Sequence, residues 1–116
     1  MASLGLDEKE EEKLWNEFKK TKSSAIRDKF IRQYMPLVKY VAGKVSTGMP
    51  ESVEFDDLVG FGQFGLLDAI NKFDPDKNVK FKTYAVTRIR GAIFDVLTLN
   101  NDIRIKTVRS LNAISY

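Results

Sequence analysis

Residues 54–73 read EFDDLVGFGQFGLLDAINKF, and no other stretch of the chain constrains its structure as strongly. The apolar residues recur every three or four positions straight through the glycines, which predicts an α-helix from Asp56 to Phe73. A glycine inside a helix costs about 1 kcal/mol relative to alanine, so something must offset that cost. On a helical wheel Gly62 and Gly65 share the inward side with Leu58, Leu66, Ala69 and Phe73. We therefore expect both glycines to admit the close approach of another helix.

Residues 60–65 also match the letters G-x-G-x-x-G of dinucleotide-binding loops. That pattern holds a pyrophosphate only where it follows a buried strand and opens a helix. Here the two carboxylates Asp56 and Asp57 stand before the glycines, and the helical period continues beyond them. The pattern therefore indicates helix packing rather than nucleotide binding.

The other side of this helix is apolar in its middle and acidic at its ends. It consists of Asp57, Gly60, Phe61, Phe64, Leu67, Asp68 and Asn71. Either the helix is buried all round, or this side is a groove for a partner helix with aromatic anchors and a charged rim. Both interpretations are open, and the pattern favours the groove.

The residues before this stretch predict two more helices. A highly charged segment at 7–20 has a narrow apolar stripe of Leu14 and Phe18, so it should lie against the rest of the fold rather than at its centre. Ser23 or Ser24 is a plausible N-cap for the next helix. That helix has the best apolar periodicity of the chain, at Ile26, Phe30, Tyr34, Leu37, Val38, Val41 and Val45.

Downstream, the turn-forming cluster at 74–78 precedes a fourth helix. Its inward stripe is predicted to be Phe81, Ala85, Ile89, Ile93 and Val96. Its opposite side carries Tyr84, Thr87, Arg88, Gly91 and Asp95, with Arg90 beside it and Lys80 and Lys82 at its start. Cations neutralise phosphates and an aromatic ring stacks on a base, so this side favours nucleic acid, although Tyr84 would fit a core equally well. With no alternating strand, we predict an all-α protein, a compact bundle of about four to five helices.

The composition of the 116 residues excludes several classes of protein. The chain has no cysteine and no histidine, which removes disulfides, thiolate chemistry, the common zinc sites and histidine-based catalysis. No stretch is apolar for the roughly 18 residues of a membrane span, and the first residues do not form a signal peptide. We expect a cytoplasmic protein that acts by binding, with no enzymatic activity, no cofactor, no metal site and no membrane contact.

Charge divides the chain in two. Residues 51–76 contain seven carboxylates and one lysine, whereas residues 77–116 contain eight lysines and arginines and two aspartates. Two solvated faces of one bundle would give this pattern. The same pattern would result if the chain bound two partners of opposite charge, with a phosphate-bearing partner on the basic half.

Three segments resemble, in order and spacing, the sigma-70 family of bacterial RNA polymerase sigma factors. YMPLVKYVA at 34–42 is similar to the segment that opens the family's second domain, residues 54–75 to its core-polymerase-binding segment, and residues 80–93 to its promoter-melting segment. Gly60-Phe61 and TRIRGAIFD at 87–95 resemble the flagellar and sporulation branch. The resemblance covers about residues 10–95.

The resemblance implies a sigma-factor domain 2-like fold and two macromolecular partners. In the family the third helix binds a coiled coil of the largest subunit of core RNA polymerase, which implies polymerase-binding residues Asp57, Gly60, Phe61, Gln63, Phe64 and Leu67. The fourth helix engages the non-template strand of promoter DNA at the minus-ten element, where a base is flipped beside the position of Tyr84. The implied DNA-binding residues are Lys80, Lys82, Tyr84, Thr87, Arg88, Arg90, Lys106 and Arg109. An anti-sigma factor is a third candidate partner.

The tail departs from the family's pattern. Flagellar-type factors continue with Asp-Trp-x-Pro-Arg-x-x-Arg, whereas Asp102 is followed here by IRIKTVR, without the tryptophan and the proline. We expect a charged N-terminal helix at 1–22, a polymerase-binding and promoter-melting domain at 23–97, and a divergent tail at 98–116 with no linker or upstream-element domain after it. Two functions are weighed: an alternative, flagellar-like sigma factor that directs promoter recognition and opening, or a truncated sigma-like or anti-sigma module that binds polymerase or sigma without directing initiation.

Overall fold

The computed structural model describes residues 7–50 and 53–98 of the chain. Within them it has four helices and no strand: α1 Glu8–Thr21, α2 Ser24–Ser46, α3 Phe55–Lys72 and α4 Phe81–Leu97. This confirms the all-α prediction. None of the described helices is both long enough and apolar enough to cross a membrane.

Local sequence signals explain where the first two helices begin. The Asp7 carboxylate accepts the backbone N–H of Glu10 at 2.8 Å, and the Ser23 hydroxyl oxygen accepts that of Ile26 at 3.4 Å. Each side chain thereby satisfies a donor that a helix start leaves without a partner. Between the two helices Lys22 adopts a left-handed backbone with φ 53°, which ends α1. Ser23 is therefore the N-cap of α2.

The core lies between α2, α3 and α4. The apolar residues predicted from the period of α2 are all buried, which confirms that part of the pattern. From α3 the core receives Leu58, Leu66, Ala69 and Ile70, and from α4 it receives Phe81, Ala85, Val86, Ile89, Ile93, Phe94 and Leu97. One interior thus joins the three longest helices.

The glycines of α3 lie where this helix meets α4. A Cβ built on Gly65 would stand 2.5 Å from the Arg88 carbonyl oxygen and 2.7 Å from the Ile89 Cα, both backbone atoms of α4. A Cβ on Gly62 would stand 3.0–3.3 Å from the side chains of Val38, Ile89 and Ile93. The predicted close approach of a second helix is confirmed, and its cost in helix propensity is offset by packing.

The buried stripe of α1 differs from the predicted pair Leu14 and Phe18. Trp15 and Phe18 are buried, whereas Leu14 is only partly buried at the edge of the core. The Trp15 ring stacks on Phe30 with centroids 3.8 Å apart, so the helix is turned to bury its largest ring. The prediction for Leu14 was wrong because it weighed the i, i+4 spacing of Leu14 and Phe18 above the size of Trp15, which lies three residues before Phe18.

The inward stripe predicted for α4 was wrong at its last member. Val96 is 36% exposed, whereas Phe94 and Leu97 are buried. The buried stripe drifts around the helix, from Phe81 and Ala85 in its first turns to Ile93, Phe94 and Leu97 in its last. A single straight stripe therefore describes only the first three turns of α4.

Candidate functional site

The outer side of α3 is open to solvent. We call it the docking face, and it consists of Asp57, Gly60, Phe61, Gln63, Phe64 and Leu67. The Phe64 ring is 72% exposed, the highest value among the exposed large hydrophobic residues of the described chain. Asp57 and Gln63 are exposed, and Gly60, Phe61 and Leu67 are partly buried. The alternative that α3 is buried all round is therefore wrong, because only its inward side enters the core.

The docking face has a polarity along the helix. Asp56 and Asp57 lie in the first turn of α3, where the helix dipole favours negative charge. The aromatic pair Phe61 and Phe64 follows in the middle of the helix. This surface suits a partner that offers an apolar strip with cations at one end.

The outer side of α4 forms a second surface. We call it the basic face, and its described members are Lys80, Lys82, Tyr84, Thr87, Arg88 and Arg90. Lys80, Lys82 and Thr87 are exposed, and Tyr84, Arg88 and Arg90 are partly buried. Lys106 and Arg109, which the resemblance adds to this set, lie outside the described residues. The chain thus brings six of the eight predicted DNA-binding residues to one helix and the turn before it.

Tyr84 and Arg88 form one unit on this face. The Arg88 guanidinium donates from Nε at 3.3 Å and from Nη2 at 3.2 Å to the Tyr84 hydroxyl oxygen. Its Cζ lies 5.3 Å from the Tyr84 ring centroid, within the range of a cation–π contact. The Tyr84 ring also lies against Phe73, with centroids 5.9 Å apart. The sequence left open whether Tyr84 belongs to the core or to the surface, and the residue lies at the boundary between them. Its ring packs on Phe73, and its hydroxyl accepts hydrogen bonds from Arg88.

An aspartate of α3 completes this unit. Asp68 Oδ2 lies 3.6 Å from Arg88 Nε, and Asp68 Oδ1 lies 2.9 Å from Lys72 Nζ. The Tyr84 hydrogen bond comes first and the Asp68 charge adds to it in raising the pKa of Arg88. The i, i+4 spacing to Lys72 was visible in the sequence, but the contact across two helices with Arg88 had no local signal. Sequence reasoning therefore missed the role of Asp68.

An open cleft of about 400 Å³ runs beside the start of α4. Glu8, Glu11 and Glu12 of α1 line one wall, and Lys80 and Lys82 line the other. Among the described residues no ion pair joins the two walls, so the lysines stay available to an anion while the glutamates weaken its attraction. No group of three carboxylates in the described ranges is arranged to hold a metal ion.

Glu11 joins α1 to α2 below this cleft. Its carboxylate accepts from the Tyr34 hydroxyl and, at 3.4 Å, from Trp15 Nε1. Burial first, and then the hydrogen bond to Glu11, raises the pKa of Tyr34 well above its ordinary value. The glutamate thus fixes α1 to the floor of the cleft while the neighbouring carboxylates remain exposed.

Comparison with known proteins gives one family and several relatives. Residues 30–101 match the family model described as Sigma-70 region 2. The chain is 50% identical to the RNA polymerase sigma-D factor of Bacillus subtilis (strain 168) over 88 residues, which is 76% of this chain and 35% of that protein. It is 46% identical to the RNA polymerase sigma factor FliA of Escherichia coli (strain K12) over 66 residues, or 57% of this chain and 28% of that protein.

A solved structure resembles the fold as well. The structure is described as the flagellar sigma/anti-sigma complex Sigma-28/FlgM, and its match has a TM-score of 0.58 at 32% identity. The match covers 72% of this chain and 37% of that one. The chain therefore spans about a third of the length of the relatives that it matches.

Proposed function

The chain belongs to the sigma-70 family of RNA polymerase sigma factors, in its flagellar-type branch, and from this premise we propose that it binds core polymerase and directs promoter recognition and opening at the minus-ten element. It acts by binding and not as an enzyme, in the cytoplasm, where polymerase and promoter DNA are found. One observation carries the proposal: α3 and α4 touch through Gly65, and their outer sides present the docking face and the basic face. Two partners of different chemistry can then be held at once.

The polymerase partner is assigned to the docking face. Phe64 is an exposed aromatic anchor, flanked by the half-buried Phe61 and Leu67 and by the carboxylate of Asp57. An amphipathic coiled coil with cations at its margin complements such a surface, since it buries the rings and pairs the acid. The family's site on the largest polymerase subunit is of this kind, which supports the assignment.

The DNA partner is assigned to the basic face. Lys80, Lys82 and Arg90 are suited to contact phosphates, and Thr87 is exposed between them. Tyr84, supported by Phe73, offers a ring for one base of the opened non-template strand. Lys106 and Arg109 remain part of the proposed DNA site on the family resemblance alone.

The proposal divides the chain by task. Residues 23–97 carry both faces, α1 within residues 1–22 is the charged helix beside the start of the basic face, and residues 98–116 are the divergent tail. An anti-sigma factor is proposed as a further partner, because the similar solved structure is a sigma/anti-sigma complex.

A second function is favoured by two observations, one on the basic face and one in the sequence of the tail. Arg88 and Tyr84 are occupied with each other and with Asp68, and the tail after Asp102 lacks the tryptophan and proline of the flagellar signature. A module with a partly occupied basic face would bind polymerase or another sigma without directing initiation. Where the module binds polymerase, the two functions differ in the capture of a DNA strand.

The test presents both partners to the 116-residue chain. Core polymerase is captured first, and a fluorescent minus-ten-element single strand is then added. We expect Phe64→Ala to weaken polymerase affinity by about 2 kcal/mol or more, roughly 30-fold, because it removes the central aromatic anchor. Asp57→Ala removes a rim charge and should weaken it less. Val79→Ala removes an apolar side chain that is also exposed, outside both faces, and should leave polymerase affinity unchanged.

Each outcome selects one interpretation. Polymerase and strand retained together support a sigma factor, and polymerase without strand supports the docking module. A chain that captures neither partner contradicts the sigma factor and the polymerase-docking module, and leaves only binding to another sigma. Circular dichroism of Phe64→Ala should match the wild type, and a loss of helix there would place Phe64 in the core instead of at an interface.

A further inference from the structure

Arg88 is held from two sides on the basic face. Its Nε and Nη2 donate to the Tyr84 hydroxyl oxygen at 3.3 and 3.2 Å, and its Nε also faces Asp68 Oδ2 at 3.6 Å. The Nε and Nη2 side of the guanidinium, one of the two sides that can bind a phosphate through a pair of N–H donors, is therefore directed back onto the protein. A neighbouring carboxylate also partly cancels the charge that would attract that phosphate.

The partner that holds Arg88 lies on the other helix. Asp68 is on α3, one position after Leu67 of the docking face, and its second oxygen is paired with Lys72 at 2.9 Å. Tyr84 lies four residues before Arg88 on α4, and its hydroxyl oxygen accepts the Arg88 donors. Among the described residues, Asp68 is thus the charged group that pairs with Arg88 and draws it away from solvent.

We propose that Asp68 is a positioning residue that folds Arg88 onto Tyr84 and so lowers the affinity of the basic face for nucleic-acid phosphate; this rests on the proposed function. Binding of a strand exchanges the carboxylate of Asp68 for a phosphate, which can take two guanidinium donors side by side.

The restraint is weak enough for a strand to displace it. The side chains of Arg88 and Asp68 are 41% and 38% exposed, and exposed ion pairs contribute little because water and salt screen them. A phosphate offers a full charge and bidentate geometry in the same place. Asp68 therefore tunes the affinity of the face and does not close it.

The test compares Asp68, which pairs with Arg88, with an aspartate that forms no ion pair in the described part of the chain. Asp68→Asn keeps the shape of the side chain and removes its charge. We expect it to tighten binding of a short non-template single strand about 2- to 5-fold, the range of an exposed ion pair. We also expect the log–log dependence on salt to steepen slightly, by less than the roughly 0.7 of a whole phosphate contact, because in the wild type Arg88 gives up a salt-screened carboxylate as it takes the phosphate.

The matched control is Asp95→Asn. Asp95 is exposed on the same helix as Arg88 and forms no ion pair within the described ranges, so its removal changes the net charge equally. It should leave the salt dependence unchanged. In an Arg88→Gln background, Asp68→Asn should change strand affinity no more than Asp95→Asn does, because the cation that it would free is absent. In a Lys72→Gln background, Asp68→Asn should keep its full effect on strand affinity, because the cation that matters is Arg88 and not Lys72.

Retention on immobilised heparin provides a reading that does not require strand recognition. Elution of Asp68→Asn at higher salt than Asp95→Asn supports the restraint even if the wild type binds no strand, in which case only the proposed function falls. Equal behaviour of the two variants on heparin, or weaker strand binding by Asp68→Asn, overturns the inference. The second result would mean that Asp68 supports the strand site and does not restrain it.

Discussion

Gly65 lies against the backbone of α4, where no side-chain movement can make room for a larger residue. A Cβ there would stand 2.5 Å from the Arg88 carbonyl oxygen, 2.7 Å from the Ile89 Cα and 2.9 Å from the Ala92 Cβ. Gly60, on the same helix, would place a Cβ in open space with nothing within 4 Å. One helix thus contains two glycines with opposite structural demands.

The substitution Gly65→Ala should lower the free energy of unfolding by about 2 kcal/mol, because overpacking against a backbone outweighs the better helix propensity of alanine. Gly60→Ala should raise it by up to about 1 kcal/mol, since only the propensity changes. Urea titrations followed by circular dichroism would measure both values. A Gly65→Ala chain as stable as the wild type would contradict the close approach of α3 and α4.

At the scale of residues, the sequence predicted the inward position of the glycines but not every buried residue or ion pair. Period and glycine cost together placed Gly62 and Gly65 inward, because both follow from local helix geometry. The same reasoning failed at Leu14 and Val96, where ring size and the drift of a buried stripe decided the outcome. Asp68 and Arg88 are twenty positions apart, and their pairing depends on the relative placement of two helices, which no local pattern encodes.

At the scale of elements, α1 is attached to the bundle by a few specific contacts. Its buried rings are Trp15 and Phe18, and its Glu11 accepts from Tyr34 of α2. At its other end Lys19 Nζ lies 2.7 Å from Asp76 Oδ2, an exposed pair that salt will screen. The buried contacts around Trp15 and Tyr34 therefore determine whether the charged helix stays docked.

The Tyr34 contact makes this docking sensitive to alkaline pH. Burial and the Glu11 carboxylate raise the pKa of Tyr34 above its ordinary value of 10.0, so the folded chain keeps the hydroxyl protonated where the unfolded chain would lose the proton. Stability from this group is complete below about pH 10 and is lost as the pH rises further. We expect the melting temperature to fall as the pH rises above about 10, with Trp15 emission shifting to the red as α1 leaves the bundle.

Two tyrosine variants separate this group from the rest of the chain. Tyr34→Phe should melt at a lower temperature than the wild type at neutral pH, because it loses the hydrogen bond, yet should depend less on alkaline pH. Tyr40→Phe changes a tyrosine that is 48% exposed and should retain the wild-type dependence. The same alkaline slope in Tyr34→Phe as in the wild type would contradict the assignment. Trp15 is the only tryptophan of the chain, so its emission reports on α1 without ambiguity.

At the scale of the whole molecule, the division of charge seen in the sequence becomes a division between surfaces. Carboxylates of α3 mark one end of the docking face, and lysines and arginines of α4 form the basic face behind it. The sequence indicated both groups of charge, but it could not indicate that the acidic start of α1 faces Lys80 and Lys82 across a cleft. That placement depends on how α1 docks, and its own pattern predicted only that α1 lies against the rest of the fold, not which residues it meets.

The phosphate contacts proposed for the basic face should make its affinity for a single strand depend on salt concentration. About four contacts to a single strand, each contributing about −0.7, give a log–log slope of affinity against salt near −3. Lys80→Gln should bring the slope nearer to zero by about 0.7, because one contact is lost, whereas Lys39→Gln, on α2, should leave it unchanged. Fluorescence anisotropy of a labelled strand at several salt concentrations would measure each slope. A flat response of the wild type would remove phosphate binding from the basic face, and a slope much steeper than −3 would indicate that Lys106 and Arg109 contribute contacts of their own.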